Sequence, residues 1–245
     1  MPVNRYFLDA ALENSQEVEL EGSEFHHMRH VARAAQGDFV ELLDGKGRLA
    51  KASVQKIEKR RAILQVRDVF FRDKPSFELI LAQALPRANR LDNILEKSCE
   101  LGVKQIWLFP GVLSENKLLK ADRLTRLQSI LIAAMKQSGR LHLPKIVLKP
   151  SLSEWKTFPY PSFFGDLRQE APLFGEVWKR KKQDSGAVFF VGPESGWDEK
   201  ETERFSASRV LGVKLHGNIL RTDTAPIVAL SLIQHWLLMD GASSK

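Results

Sequence analysis

Ala187-Val188-Phe189-Phe190-Val191-Gly192-Pro193-Glu194-Ser195-Gly196 and Val210-Leu211-Gly212-Val213-Lys214-Leu215-His216-Gly217-Asn218-Ile219-Leu220-Arg221-Thr222-Asp223-Thr224-Ala225 share one grammar, a short apolar run followed by a loop of small and polar residues. Runs of this length, rich in β-branched and aromatic residues and ended by Gly-Pro or His-Gly-Asn, predict buried parallel strands. After the second loop, Asp223 or Thr222 is placed to cap a helix through Ala225, Val228, Ala229, Leu232 and Ile233 towards Trp236. Two loops at the carboxyl ends of parallel strands form a ligand crevice.

Outward from these loops, the segment after residue 74 alternates strands and helices. Strands are predicted at Glu78 to Ala82, Gln105 to Phe109, Pro144 to Leu148, Ser162 to Gly165, Ala187 to Val191 and Val210 to Leu215. Helices fall between them; Asn89 to Leu101 places Leu91, Ile94, Leu95 and Cys99 on one face, and Ala121 to Ser138 does the same with Leu124, Leu127, Ile130, Leu131 and Ala134. That order predicts an α/β domain with a mostly parallel sheet covered on both sides.

The segment before Arg72-Asp73-Lys74-Pro75-Ser76 is written in strands: Arg5 to Leu8, Glu17 to Leu20, Phe39 to Leu43, Leu49 to Ile57 and Ala62 to Phe70. One helix interrupts them. Gly22 or Ser23 caps it, Phe25, Met28, His30 or Val31 and Ala32 form its apolar side, and Gly37 stops it. We therefore expect two domains, 1–74 and 75–245. Gly45-Lys46-Gly47-Arg48-Leu49-Ala50 fits a dinucleotide fingerprint, but a strand rather than a helix follows its glycines, so it reads as a β-turn and argues against a Rossmann dehydrogenase.

The 245 residues carry a formal charge of +7. Residues 1–74 hold 13 Lys/Arg against 12 Asp/Glu and the remainder 24 against 18, so the excess lies in the second segment. Lys56, Lys59, Arg60 and Arg61 cluster in the first segment, and Lys136, Arg140, Lys145 and Lys149 in the second, which together suit phosphate contacts. No apolar run approaches the ~18 residues that span a bilayer, and the N-terminus lacks the features of a signal peptide, so a cytoplasmic protein without membrane contact is expected. The single Cys99 excludes an internal disulfide and sits on a helix face with no activating partner. His26, His27 and His30 share a helical face, but no Cys or carboxylate set completes a metal site, so no metal is expected and these residues, with Arg29 and Arg33, suit RNA better. No G-x-S-x-G elbow supports a hydrolase triad. The glycines of Gly192 to Gly196 would let a flat ligand approach the backbone, and Glu194 would accept from an amine or a ribose. Arg221 reads both as an ion-pair partner of Asp223 or Glu194 and as a fixed cation beside developing negative charge.

Taken together, these elements resemble the RsmE group of SPOUT methyltransferases, which methylate N3 of a uridine in 16S ribosomal RNA of the bacterial small subunit. The resemblance runs through Asn4-Arg5-Tyr6-Phe7, the stretch HMRHVARAAQGDFVELLDGKG from His27 to Gly47, EKSCELGV at Glu96 to Val103, KQSGRLHLPKI at Lys136 to Ile146, GPESG, and LHGNILRTDTA. It implies a PUA-like RNA-binding β-barrel followed by a SPOUT α/β domain with a C-terminal trefoil knot, a rare exception to the rule against threading, and a homodimer. It further implies S-adenosylmethionine in the crevice, met by Val191, Gly192, Pro193, Glu194, Gly196, Leu215, Gly217, Ile219 and Leu220, with Thr222, Thr224 and Ala225 closing the site. The expected catalytic set is Arg221 and Arg140 as cations for the uridine anion, and Glu194 as proton acceptor or ligand anchor. Arg5, Arg29, Arg33, Lys136 and Arg140 are the expected RNA contacts, and Trp197 a stacking partner for the base. Ser195, Asp223 and His216 depart from the family pattern of Gly, Glu and Gly; His216 puts the loop conformation in question, with Gly217 one position later. A non-catalytic RNA-binding protein of ribosome assembly and a SPOUT enzyme with another RNA target are the alternatives.

Overall fold

The computed structural model describes residues 4–181 and 185–243, which fall into two compact units. Residues up to Lys74 form the first together with Ile132–Leu143, and the remainder forms the second.

In the first unit, β1 (Arg5–Phe7), β2 (Glu17–Glu21), β3 (Phe39–Leu43), β4 (Arg48–Ile57) and β5 (Arg61–Phe71) make one sheet in the order β1-β3-β4-β5-β2. Only β1 and β3 pair in parallel; the other pairs are antiparallel. Register shifts at Lys51/Ala52 and Val54/Lys56 break the β4–β5 ladder, the kind of irregularity that bends a sheet around its core. Alternate residues of these strands, including Val18, Leu20, Val40, Leu42, Ala50, Ala52, Leu64 and Val66, close over Tyr6 and Met28. The Gly45–Gly47 segment is a turn between β3 and β4: both glycines have positive φ, and the Asp44 carboxylate accepts from the amides of Lys46 and Arg48. The interrupting helix differs from its prediction. It is α-helical only over α1 (Gly22–His26), widens to a π-helical turn over His27–Val31, and ends with Arg33 in the left-handed region at φ 54°, well before Gly37. The wider turn rotates the inward face, so Phe25 and Met28 are buried while Val31 is 64% exposed.

In the second unit, β6 (Glu78–Ala84), β7 (Gln105–Phe109), β8 (Lys145–Leu148), β9 (Ser162–Gly165), β10 (Gly186–Val191) and β11 (Leu211–Val213) form a parallel sheet in the order β11-β9-β10-β6-β7-β8. From β6 the chain builds outward through β7 and β8, then returns to the other side for β9, β10 and β11, so the direction of winding switches between β6 and β10. Helices α2 (Ala88–Glu100), α3 (Ala121–Ser138), α4 (Phe174–Lys181), α5 (Glu199–Ala207) and α6 (Ala225–Ser243) complete the unit, with the last residues of α3 grouped in the first unit. Burial of every residue of β10 shows why its sequence is a continuous apolar run. An aromatic cluster of Trp107, Phe109, Trp155 and Phe190 fills one side of the sheet. β11 is shorter than the predicted Val210 to Leu215. Among the described residues, no helix is long and apolar enough to cross a membrane.

Candidate active site

A cavity of about 1120 Å³ lies in the second unit beyond the carboxyl ends of β9, β10 and β11, beside the switch in winding direction, where open α/β sheets place ligands. Val191, Gly192, Pro193, Glu194 and Gly196 of the loop after β10 line one wall; Leu215, Ile219, Leu220, Arg221, Thr222 and Ala225 of the segment before α6 line another. Gly217 and Thr224 are not on the wall. Thr224 instead leads into α6, its amide bonded to Arg221 O and its carbonyl accepting from the Val228 amide.

Hydrogen bonds wire the two loops together from beneath. Gln83, fully buried on β6 opposite Val191, donates Nε2 to Thr222 Oγ1 at 3.2 Å, and Thr222 Oγ1 donates to Gly192 O at 2.6 Å. Gln83 Oε1 has no partner among the described residues, a cost that marks this amide as placed for the loops rather than for the core. The glycines serve the same geometry. A Cβ on Gly192 would stand 3.2 Å from the Trp197 ring, whereas Gly196, at φ 79°, faces open space. Trp197 lines the cavity as well, stacks on Phe109 and packs edge-on against Phe205, so its half-buried ring is shared between the wall and the core.

Electrostatically, the cavity separates two arginines. Arg90 of α2 reaches both loops: its Nη1 donates to Asp223 Oδ1 at 2.9 Å, and its Nε lies 3.1 Å from Glu194 Oε1, a close ion contact too misaligned for a hydrogen bond. Glu194 also accepts from the Arg87 amide at 3.1 Å. Both carboxylates that sequence reading offered to Arg221 are therefore taken by Arg90, and Thr222 and Asp223 spend their side chains on these tertiary contacts, where a helix cap was expected. Arg221 is exposed on the cavity wall, with no ion pair among the described residues. His216 fits without strain. Its φ is not positive, and its Nδ1 accepts from the Asn218 amide at 3.0 Å, so the imidazole closes the loop on itself.

Two wall elements went unread in the sequence. Helix α5 contributes Glu199, Thr202, Glu203 and Ser206, and its start is fixed by a reciprocal capping box in which Asp198 accepts from Lys200 and Glu201 accepts from Asp198. The Asp198-x-x-Glu201 spacing was the available signal. The loop after β9 contributes Asp166 and Arg168. Burial disfavours ionisation of Asp166, but hydrogen bonds and charge from Arg168 outweigh it and hold the carboxyl below its ordinary range. Arg90 gave no signal, because its partner Asp223 lies 133 positions away.

The remaining predicted residues belong to the first unit. Arg5 pairs with Glu41 at 2.7 Å and donates to Lys136 O; Lys136 pairs with Glu24 at 2.6 Å. Arg29 donates to Glu58 O at 2.8 Å, Arg33 is exposed, and Arg140 is half-buried. Among the described residues, no three His, Cys, Asp or Glu side chains converge as a metal site would need.

This architecture has named relatives. The RNA methyltransferase domain family matches residues 72–234, and the RNA methyltransferase PUA domain family matches residues 20–67. A curated relative, ribosomal RNA small subunit methyltransferase E of Synechocystis sp., is 30% identical over 222 residues, covering 88% of this chain and 72% of its own. The chain belongs to the RNA methyltransferase family. The namesake from Bacillus subtilis is 25% identical over 95% of this chain and 96% of its own. Among solved structures, ribosomal RNA small subunit methyltransferase E from Neisseria gonorrhoeae, bound to S-adenosyl methionine, superimposes with a TM-score of 0.84 at 30% identity, covering 96% of this chain and 98% of the other. The first unit is thus PUA-like, and the second is the α/β methyltransferase domain.

Proposed function

We propose that the chain methylates N3 of a uridine in 16S ribosomal RNA with S-adenosylmethionine as donor. The observation that carries this is the cavity itself: two loops of a methyltransferase domain, wired together by Gln83, Thr222 and Arg90, with Arg221 on the wall and without an ion pair among the described residues. The cavity suits the donor. Its volume exceeds what a ligand of this size needs, the glycine backbone faces open space at Gly196, and charged groups of both signs stand on the wall for the ammonium and carboxylate of a methionine moiety. Val191, Gly192, Pro193, Gly196, Leu215, Ile219, Leu220, Thr222 and Ala225 would hold it, with Gly217 and Thr224 supporting the loop from outside the wall. When bound, the donor supplies a methyl group on a sulfonium. Positioning and charge stabilisation are what remain for the protein.

Uridine N3 carries a proton, which passes to solvent water at the open rim, and its loss leaves an anion spread over O2 and O4. Arg221, unneutralised and facing the cavity, lowers the cost of that anion. Arg140 is assigned the same role on the QSGR resemblance alone. Glu194, already engaged by Arg90 and the Arg87 amide, is better placed to fasten its loop as an anchor than to take the proton. We assign RNA engagement to residues 1–74 through Arg5, Arg29 and Arg33, joined by Lys136 and Arg140 of the segment Ile132–Leu143 that folds with them, and methyl transfer to the rest of residues 75–245. Helix α6 is largely apolar, and Leu238 and Met239 are more than half exposed on it, which supports a homodimer. The trefoil threading and a cytoplasmic location, where ribosomal subunits assemble, complete the proposal.

The test is reverse transcription across 16S RNA after incubating unmodified small subunits with the protein, with and without donor. A methyl on N3 blocks base pairing, so a donor-dependent stop at one uridine is expected; donor binding without a stop would move the assignment to another RNA.

A further inference from the structure

We propose that the first unit carries a proton-linked site for an RNA phosphodiester, formed by His26, His30, Lys59 and Arg60; it rests on the proposal that RNA is the substrate. These four side chains share a cavity of about 510 Å³. The α1 and π-helical segment presents His26 and His30 on one side, their ring centroids 4.7 Å apart and tilted by 40°. The turn between β4 and β5 supplies Lys59 and Arg60, and Arg29, bonded to Glu58 O, pins that turn to the helix.

Charge accounting singles out this pair from the basic cluster around it. Lys56 is neutralised by Glu58, and Arg61 by Glu58 and Glu19. Lys59 and Arg60 have no such partner among the described residues. Glu21 of β2 is the one carboxylate on the wall; Glu24 is held by Lys136, and His27 turns its ring to Tyr6. Phe25, at the cavity's base, is 6% exposed, so no open aromatic face offers a platform for a base. The site is therefore built for the backbone rather than for sequence. Imidazole is the side chain that ordinarily gains charge just below neutral pH. A phosphate seated against two rings this close meets both at once. Binding of the anion and uptake of protons thus favour each other.

The test uses the full chain and a short single-stranded RNA of mixed sequence, with calorimetry in buffers of different ionisation enthalpy. Wild type is expected to take up protons on binding and to bind more tightly as pH falls from about 8 to 6. His26→Gln/His30→Gln should abolish the uptake while keeping most affinity at pH 8. Lys59→Ala/Arg60→Ala should reduce the slope of log K against log salt by about 1.4, two contacts at about 0.7 each on a single strand. Uptake that persists in the histidine variant, or a salt slope unchanged in the other, overturns the proposal. Proton-linked binding of inorganic phosphate without that of RNA overturns the RNA assignment. S-adenosylmethionine calorimetry on the same proteins separates the two ideas: retained donor binding with no effect on RNA sinks this site alone, and absent donor binding in wild type sinks the proposed reaction.

Discussion

Arg90 and Arg221 stand on the wall of the same cavity, yet one is committed and the other free. Arg90 bridges Asp223 and Glu194 and so fixes the shape of two loops. Arg221 extends from the rim of the second loop beside exposed His216, Asn218 and Ile219, with its charge uncompensated. A neutralised cation stabilises a ground state structure. An uncompensated one is available for charge that develops during a reaction. On the proposed function, the floor of the site sets donor binding and the rim sets the rate of methyl transfer.

Arg221→Ala should produce the largest effect: turnover falling about 10²- to 10³-fold with donor affinity nearly unchanged, measured by single-turnover methylation and calorimetry. Arg90→Ala should act the other way. It leaves the Glu194 and Asp223 carboxylates, each a quarter exposed, without the cation they share, costs about 1 kcal/mol of stability, and weakens donor binding roughly tenfold, read by thermal denaturation and calorimetry. Thr222→Val removes the hydroxyl that joins Gln83 to Gly192 and should cost about 1 kcal/mol, seen mainly as weaker donor binding. Asp166→Asn probes the opposite rim through pH. The folded carboxyl is held below its ordinary range, so its stabilisation is present above the ordinary carboxylate pKa and is lost as pH falls through the lower folded value. The wild-type advantage in melting temperature over Asp166→Asn should thus shrink on acidification, modestly because Arg168 is 69% exposed. His216→Ala should change donor affinity least, within about a factor of three, or 0.6 kcal/mol, since it loses one exposed hydrogen bond.

The floor and the rim were not equally legible in the sequence. The apolar run Ala187 to Val191 and the two loops identify the crevice, because a strand buried on both faces cannot be written any other way. Most of the two loops' share of the cavity wall, from Val191 to Gly196 and from Leu215 to Ala225, followed from the loop resemblance. What holds those loops was invisible: Gln83 and Arg90 sit on elements far along the chain, and nothing local distinguishes a structural arginine from a reactive one. The same limit explains Trp197, which looks free in a Gly-rich loop and is stacked on Phe109. In the first unit, the π-helical turn depends on how Phe25, Met28 and Ala32 meet the sheet, and an α-helical periodicity placed His30 or Val31 inward where both face solvent. His216 shows the converse. A residue that looked disruptive by its size takes an ordinary backbone conformation and supplies its own hydrogen bond.

The division of labour is tested most directly by measuring donor affinity and single-turnover rate on Arg90→Ala and Arg221→Ala in parallel. The account predicts a crossed result, with Arg90→Ala losing affinity and keeping most of its rate at saturating donor, and Arg221→Ala losing rate and keeping affinity. Equal losses of both quantities in the two variants would contradict it.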